Sequence, residues 1–271
     1  MGFIACQYLR TEDSKSRIDE LIDTSMKAVL EEDARFDREF LGNYRIKDDQ
    51  SIHYALKSAS AFALGLSDIK PLLLIAPERK QFITSDNPVF LYNQYCEDVK
   101  GIGVVGAFCG GLQVFLPLSP QISFILFDEK IYRTSPKNPS NHIFCSENDA
   151  ILLNTFQVVN ANKNLYFNID YADDYLERIV CQAKKYRQKR RTLITKADGV
   201  HPEENSVLIH MRRQHPVLKP NFDFMRIKRN AKRIPLMERA QMYRKEIPID
   251  ESYDGEFRRG SKTREWKVRK Q

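Results

Sequence analysis

Over residues 16–41, apolar side chains recur at three- and four-residue steps. Ile18, Leu21, Ile22, Met26, Val29, Phe36 and Phe40 form one stripe, and this spacing predicts a long amphipathic helix. Gly42-Asn43 closes it. The stretch before it, residues 3–9, is apolar enough to be helical and starts without a capping residue. Residues 51–66 predict a second long helix, with Ile52, Ala55, Leu56, Ala59, Phe62, Ala63 and Leu66 on one face. The small residues on that face fit close packing against another helix.

The period then shortens. Residues 72–76, 81–84, 89–92, 112–116 and 122–127 are short β runs. Their close spacing leaves no room for crossover helices, so pairing is expected to be mostly antiparallel. Ser146-Glu147-Asn148-Asp149 has the form of a capping box opening a helix over residues 150–159. Residues 165–167 read as a final strand. Residues 171–190 read as a helix with acids at its start and bases at its end, matching the macrodipole. Beyond Thr195 the periodicity fades, leaving two apolar patches at 207–209 and 222–227, and no core signal remains from Glu251 onward. The expected architecture is an α+β domain over residues 1–195: N-terminal helices, a small mostly antiparallel sheet, then C-terminal helices. A basic, partly disordered extension over residues 196–271 follows it.

Composition narrows the class. No apolar run approaches the roughly 18 residues of a membrane span, and no signal peptide is legible, so a cytoplasmic protein without a membrane partner is expected. The cysteines Cys6, Cys96, Cys109, Cys145 and Cys181 are odd in number and scattered, which argues for buried free thiols over a disulfide framework or a thiolate zinc site. The net charge of +7 is unevenly placed. Residues 1–170 carry 17 Lys and Arg against 22 Asp and Glu, whereas residues 171–271 carry 26 against 14. An acidic body with a basic appendage points to nucleic acid or to an acidic protein surface.

Few motifs carry chemistry. Gly101-Ile102-Gly103-Val104-Val105-Gly106 matches a dinucleotide fingerprint, but no buried strand feeds it and no helix of adequate length follows, so it reads as a glycine-rich β loop. His142 with Cys145, and His210 with His215, have ligand-like spacing but supply only pairs. No cofactor is identified. Ser85-Asp86-Asn87-Pro88 is a tight turn by its chemistry, because Asp and Asn bond their own backbone and proline fixes φ. Turns at strand ends also present functional groups. The candidate catalytic residues are therefore Ser85, Asp86 and Asn87, together with Asp128 and Asn154, with Asp86 and Asp128 the acids suited to metal-dependent phosphodiester chemistry. Candidate nucleic-acid contacts are Lys184, Lys185, Arg187, Lys189, Arg190 and Arg191, followed by basic runs such as Arg226-Ile227-Lys228-Arg229 with interleaved aromatics.

Three segments together resemble one family: Phe3-Ile4-Ala5-Cys6-Gln7-Tyr8-Leu9-Arg10-Thr11, Phe82-Ile83-Thr84-Ser85-Asp86-Asn87-Pro88-Val89 and Phe115-Leu116-Pro117-Leu118-Ser119-Pro120. Their order and spacing are similar to the domain of unknown function 4238, over roughly residues 1–190. The resemblance implies a fold and no activity. Members of that family usually begin with a His-Tyr-Val-Pro-like segment, which this chain lacks, so the resemblance implies a member short of its N-terminal part. The leading functional expectation is a nucleic-acid-associated protein, a nuclease-like effector or a relic of one. The alternatives are a non-catalytic interaction module whose basic tail binds an acidic partner, and a small-molecule hydrolase or transferase.

Overall fold

Thr11 sets the first boundary, because its side chain accepts the backbone N–H of Ser14 at 3.2 Å and opens a helix there. In the computed structural model, which describes residues 1–31, 33, 35–99, 104–137, 141–168, 173–187, 192–198, 207–213 and 215–245, helix α1 spans Gly2–Leu9 and α2 spans Glu12–Leu30. The helix expected over 16–41 thus starts earlier and stops sooner. Asp33 accepts the Arg35 N–H at 3.0 Å, and Asp37 accepts the Phe40 N–H at 2.6 Å. Short acids bonded to nearby backbone compete with the helical ladder. Asp37 instead caps a separate helix, α3 at Arg38–Gly42. The helix expected over 51–66 is also two, α4 (Ser51–Lys57) and α5 (Ala59–Gly65). They divide at Ser58, whose hydroxyl donates to the Ala55 carbonyl at 2.6 Å.

The strands follow as β1 (Lys70–Ile75), β2 (Thr84–Ser85), β3 (Phe90–Tyr92), β4 (Gln113–Pro117), β5 (Ile122–Phe127), β6 (Tyr132–Thr134) and β7 (His142–Phe144). Five of them form one sheet in the order β3-β4-β5-β1-β7. Every pairing in it is antiparallel except β1 with β7. The expected α+β class with a small, mostly antiparallel sheet is the observed one. Alternate residues face opposite sides. Leu72 and Leu74 of β1, Phe90 and Tyr92 of β3, Phe115 of β4 and Ile125 and Phe127 of β5 belong to one core. Leu91, Val114, Leu116 and Leu126 belong to a second, with Ile4 of α1 and with Leu66 and Ile69 after α5. Covering on both faces explains why Val114, Phe115 and Leu116 of β4 are consecutive apolar residues.

The first core is closed by α6 (Glu147–Asn160). Its capping box is reciprocal: Ser146 Oγ accepts the Asp149 N–H at 3.1 Å, and Asp149 accepts the Ser146 N–H at 3.1 Å. Phe156 sits at the centre, with ring centroids 4.6 Å from Phe90, 5.3 Å from Phe115 and 5.8 Å from Phe222. β8 (Leu165–Tyr166) pairs with β2, as the run at 165–167 suggests. α7 spans Asp173–Lys184, within the expected 171–190. The run at 81–84 contributes only Thr84 to a strand. Its other amides are bonded elsewhere, Phe82 N–H to the Pro120 carbonyl and Ile83 N–H to Asn154.

The C-terminal part departs most from expectation. β9 (Thr192–Asp198) and β10 (Val207–Arg213) form an antiparallel hairpin, so the boundary expected after residue 195 falls inside a strand. Residues 215–245 then cross the domain. β11 (Met225–Ile227) pairs with β6, and the short helices α8 (Arg229–Lys232) and α9 (Leu236–Ala240) follow. Phe222, Phe224 and Met225 are fully buried in the first core. What reads as a basic extension is in this stretch a structural part of the domain: Phe222 and Phe224 are buried while Arg226, Arg229, Lys232 and Arg233 are exposed, and the Arg244 side chain is itself buried beside Asp68. The disorder expected from Glu251 onward lies outside the described residues.

Candidate functional site

Residues 81–89 run along α6 with almost no ladder of their own. Their polar groups are met by one face of that helix, since Asn154, Gln157 and Asn160 recur at three-residue steps. Asn154 Oδ1 accepts the Ile83 N–H at 2.9 Å, and its Nδ2 donates to the Gln81 carbonyl at 2.8 Å. Ser85 donates its hydroxyl to Gln157 Oε1 at 3.0 Å, and Gln157 Nε2 donates to the Pro88 carbonyl at 2.9 Å. Asn87 Nδ2 donates to the Asn160 carbonyl at 3.3 Å, and Asn160 Nδ2 donates to the Val89 carbonyl at 3.1 Å. Ser85, Asn87 and Asn154 are thus brought together, and all three are buried. Asp86 points the other way. Its carboxylate accepts the N–H groups of Asn162, Lys163 and Asn164 at 2.8, 2.8 and 3.1 Å and holds the loop after α6.

Asp128 serves another turn. It accepts the Gly111 N–H at 2.9 Å and the Lys130 N–H at 3.0 Å at the end of β5. Of the five candidate catalytic residues, three share one hydrogen-bonded bracket, Asp86 flanks it facing outward, and Asp128 supports a separate loop. Ser85 faces an amide rather than a base, so its hydroxyl lacks the partner that nucleophilic activation requires. Among the described residues no three His, Cys, Asp or Glu side chains are grouped to hold a metal ion. His142 packs edge-on against Phe144, while Cys145 beside it is buried. Gly101 and Gly103 of the glycine-rich loop lie outside the described residues. Burial of the thiols holds only in part: Cys96 and Cys145 are buried and Cys109 is partly covered, whereas Cys6 and Cys181 are exposed.

The basic candidates divide similarly. Lys184 and Lys185 are exposed at the end of α7, and the Lys185 ammonium lies 4.8 Å from the Tyr186 ring centroid. Arg187 instead donates to the Ala161 carbonyl at 2.9 Å and ties α7 to the end of α6. Lys189, Arg190 and Arg191 lie outside the described residues. The groove along the outer side of α7, about 640 Å³, mixes Asp174 and Glu177 with Arg178 and Lys184 and has no charge bias.

A second cleft, about 560 Å³, does have one. It lies where β6, β11 and the start of α8 meet the beginning of β1, and among the described residues Lys70, Arg133, Lys137, Lys228 and Arg229 line it beside a single acid, Glu129. Glu129 is already engaged, with its carboxylate 3.1 Å from Lys70 and its carbonyl accepting from Lys228 at 2.5 Å. Arg133, Lys137 and Arg229 are exposed and have no acidic partner among the described residues. Arg133 also stands directly opposite Arg226 across the β6–β11 ladder, and both are exposed. Facing like charges destabilise a strand pair, and an anion bound over them reverses that sign. Sequence reading found Lys228 and Arg229 as part of a run. It missed Lys70, Arg133 and Lys137, which are isolated in sequence and converge only where β1, β6 and the start of α8 meet.

The family model described as Protein of unknown function (DUF4238) matches residues 1–170. No curated protein and no solved structure matches the chain.

Proposed function

The chain belongs to the DUF4238 family of proteins of unknown function, and because that membership carries no chemistry, we propose from its charge distribution that it binds nucleic acid by gripping the phosphate backbone in the β6–β11 cleft. The observation that carries this reading is the set of cations Arg133, Lys137 and Arg229 around one cavity, with no acidic partner among the described residues. Phosphates engage such groups without base recognition, so binding is expected to be insensitive to sequence. The cleft walls contribute Phe127 and Tyr132, both buried, so base stacking adds little there. In this reading Ser85, Asn87 and Asn154 support the fold, and binding rather than cleavage is the activity.

The test is binding of labelled DNA and RNA, single- and double-stranded, across a salt series. Log affinity is expected to fall with log salt by about 0.9 for each phosphate neutralised on duplex DNA. Arg133→Glu and Lys137→Glu are each expected to weaken all sequences alike and to lower the salt slope by about 1. No binding at low salt, or binding that ignores both substitutions, rejects the reading. A folded protein that fails this test but retains an acidic protein partner through the same residues would establish the interaction-module alternative.

A further inference from the structure

Asn87 is 2 % exposed, and its amide nitrogen is committed to Asn160. Its carboxamide oxygen is buried without a hydrogen-bond partner among the described residues. Arg17 of α2 has the complementary gap. Its terminal nitrogens donate to the hydroxyls of Tyr8 and Ser14, but its buried Nε–H has no acceptor among the described residues. The Asp13 carboxylate is 3.6 Å from that nitrogen, which is too far for a hydrogen bond. Both orphaned atoms belong to residues lining one cavity of about 30 Å³ between α1, the start of α2 and the Ser-Asp-Asn-Pro turn. Tyr8, Asp13 and His215, all half-buried, line it with Asn160. Two of the three segments that carry the family resemblance therefore meet at this point, Tyr8 from the first and Asn87 from the second.

The lining selects its occupant. One water needs roughly 10–15 Å³ of such space, so the cavity admits a polar group of two or three heavy atoms. A carboxylate would set its oxygens against the lone pairs of Asn87 Oδ1. An ammonium or guanidinium would face Arg17. A hydrocarbon would leave both orphans unsatisfied, which is costly when they are buried. A neutral planar group with a carbonyl at one end and an N–H at the other meets both. We propose that this cavity binds a primary carboxamide, its oxygen accepting from Arg17 Nε–H and its NH₂ donating to Asn87 Oδ1. The proposal is independent of the nucleic-acid cleft, which lies on other elements.

The experiment is titration of the full-length ¹⁵N-labelled protein, observing the Arg17 Nε–H and the Asn87 and Asn160 side-chain amides. Acetamide is expected to shift these signals saturably, whereas acetate, guanidinium, ethanol and N,N-dimethylacetamide are not. A glutamine-containing tripeptide separates the two sources of the group. Tighter binding than acetamide assigns the site to a peptide side chain, and weaker binding assigns it to a free small amide. Arg17→Lys, which keeps the charge and removes the Nε–H, is expected to weaken acetamide at least about tenfold. If acetamide causes no saturable shift, or ethanol or acetate shifts the signals equally, the proposal fails. Should Arg17→Lys not fold, the comparison of probes on the unaltered protein decides it alone.

Discussion

At the scale of single residues, burial and backbone geometry decide what each side chain does. Gly111 has φ +77°, a left-handed conformation, and an added Cβ would lie 2.8 Å from both Asn93 Oδ1 and Tyr95 Cβ. Its carbonyl accepts from the buried Tyr132 hydroxyl at 2.8 Å, so the loop has little freedom to move aside. Gly111→Ala is expected to destabilise the protein by about 1–3 kcal/mol, combining left-handed strain with overpacking, and urea unfolding monitored by circular dichroism checks it. The cysteines give a second residue-level expectation. Burial pushes the Cys96 thiol up to about 12 and the Cys145 thiol higher still. A disulfide exchange reagent near neutral pH is therefore expected to modify Cys6 and Cys181 rapidly and to leave Cys96 and Cys145 protected until the protein unfolds. Rapid modification of four thiols in the native protein would contradict the burial.

Elements are held by side chains that meet the backbone of a neighbour, and Asp86 is the clearest case. It collects three N–H groups from residues 162–164 and fastens the chain after α6 to the Ser-Asp-Asn-Pro turn. Asp86→Ala is expected to lower stability by about 1–3 kcal/mol, the range for charge-assisted bonds lost at a partly solvated site, while nucleic-acid affinity of the folded protein stays unchanged. A loss of affinity without loss of stability would instead place Asp86 in a working site. This case also marks the limit of what the sequence discloses. Thr11 and Ser146 act within three residues, so α6 is legible from its capping box and α2 could have been placed by its cap. Asp33, Asp37 and Ser58 break helices through local bonds that compete with an otherwise unbroken apolar stripe, and periodicity alone does not see them. The bracket joining Asn154 to Ile83 spans 71 residues, and the basic cleft assembles from β1, β6 and β11. Such convergence depends on topology, and β6 and β7 were unread because each is three residues long and includes polar residues, unlike the wholly apolar β3.

The whole molecule depends on how residues 215–245 are fastened to the sheet, and one fastening titrates. The Tyr92 hydroxyl donates to Glu97 and accepts the backbone N–H groups of Leu218 and Lys219, both at 3.1 Å. Desolvation outweighs that hydrogen bond and raises the Glu97 carboxyl from its ordinary value to about 7. A carboxyl raised in the folded state holds its proton while the unfolded chain has released it. Its contribution is fully present below the unfolded value near 4.5 and is lost as pH rises towards about 7, the opposite of a paired surface carboxylate. Glu97 is only about half withdrawn from water, so the loss is expected to be about 1 kcal/mol after solvent screening. The urea midpoint of the protein should therefore fall between about pH 5 and pH 8. Glu97→Gln keeps an acceptor for Tyr92 and removes the titration, so its midpoint should change less over the same range. Hydrogen exchange at Leu218 and Lys219 should speed up above neutrality beyond the intrinsic base-catalysed rate in the unaltered protein, and not in Glu97→Gln. Identical pH profiles for the two proteins would mean that the segment is held by its other contacts, Phe222 and Phe224 in the core and the β6–β11 pairing, with Glu97 a bystander at its edge.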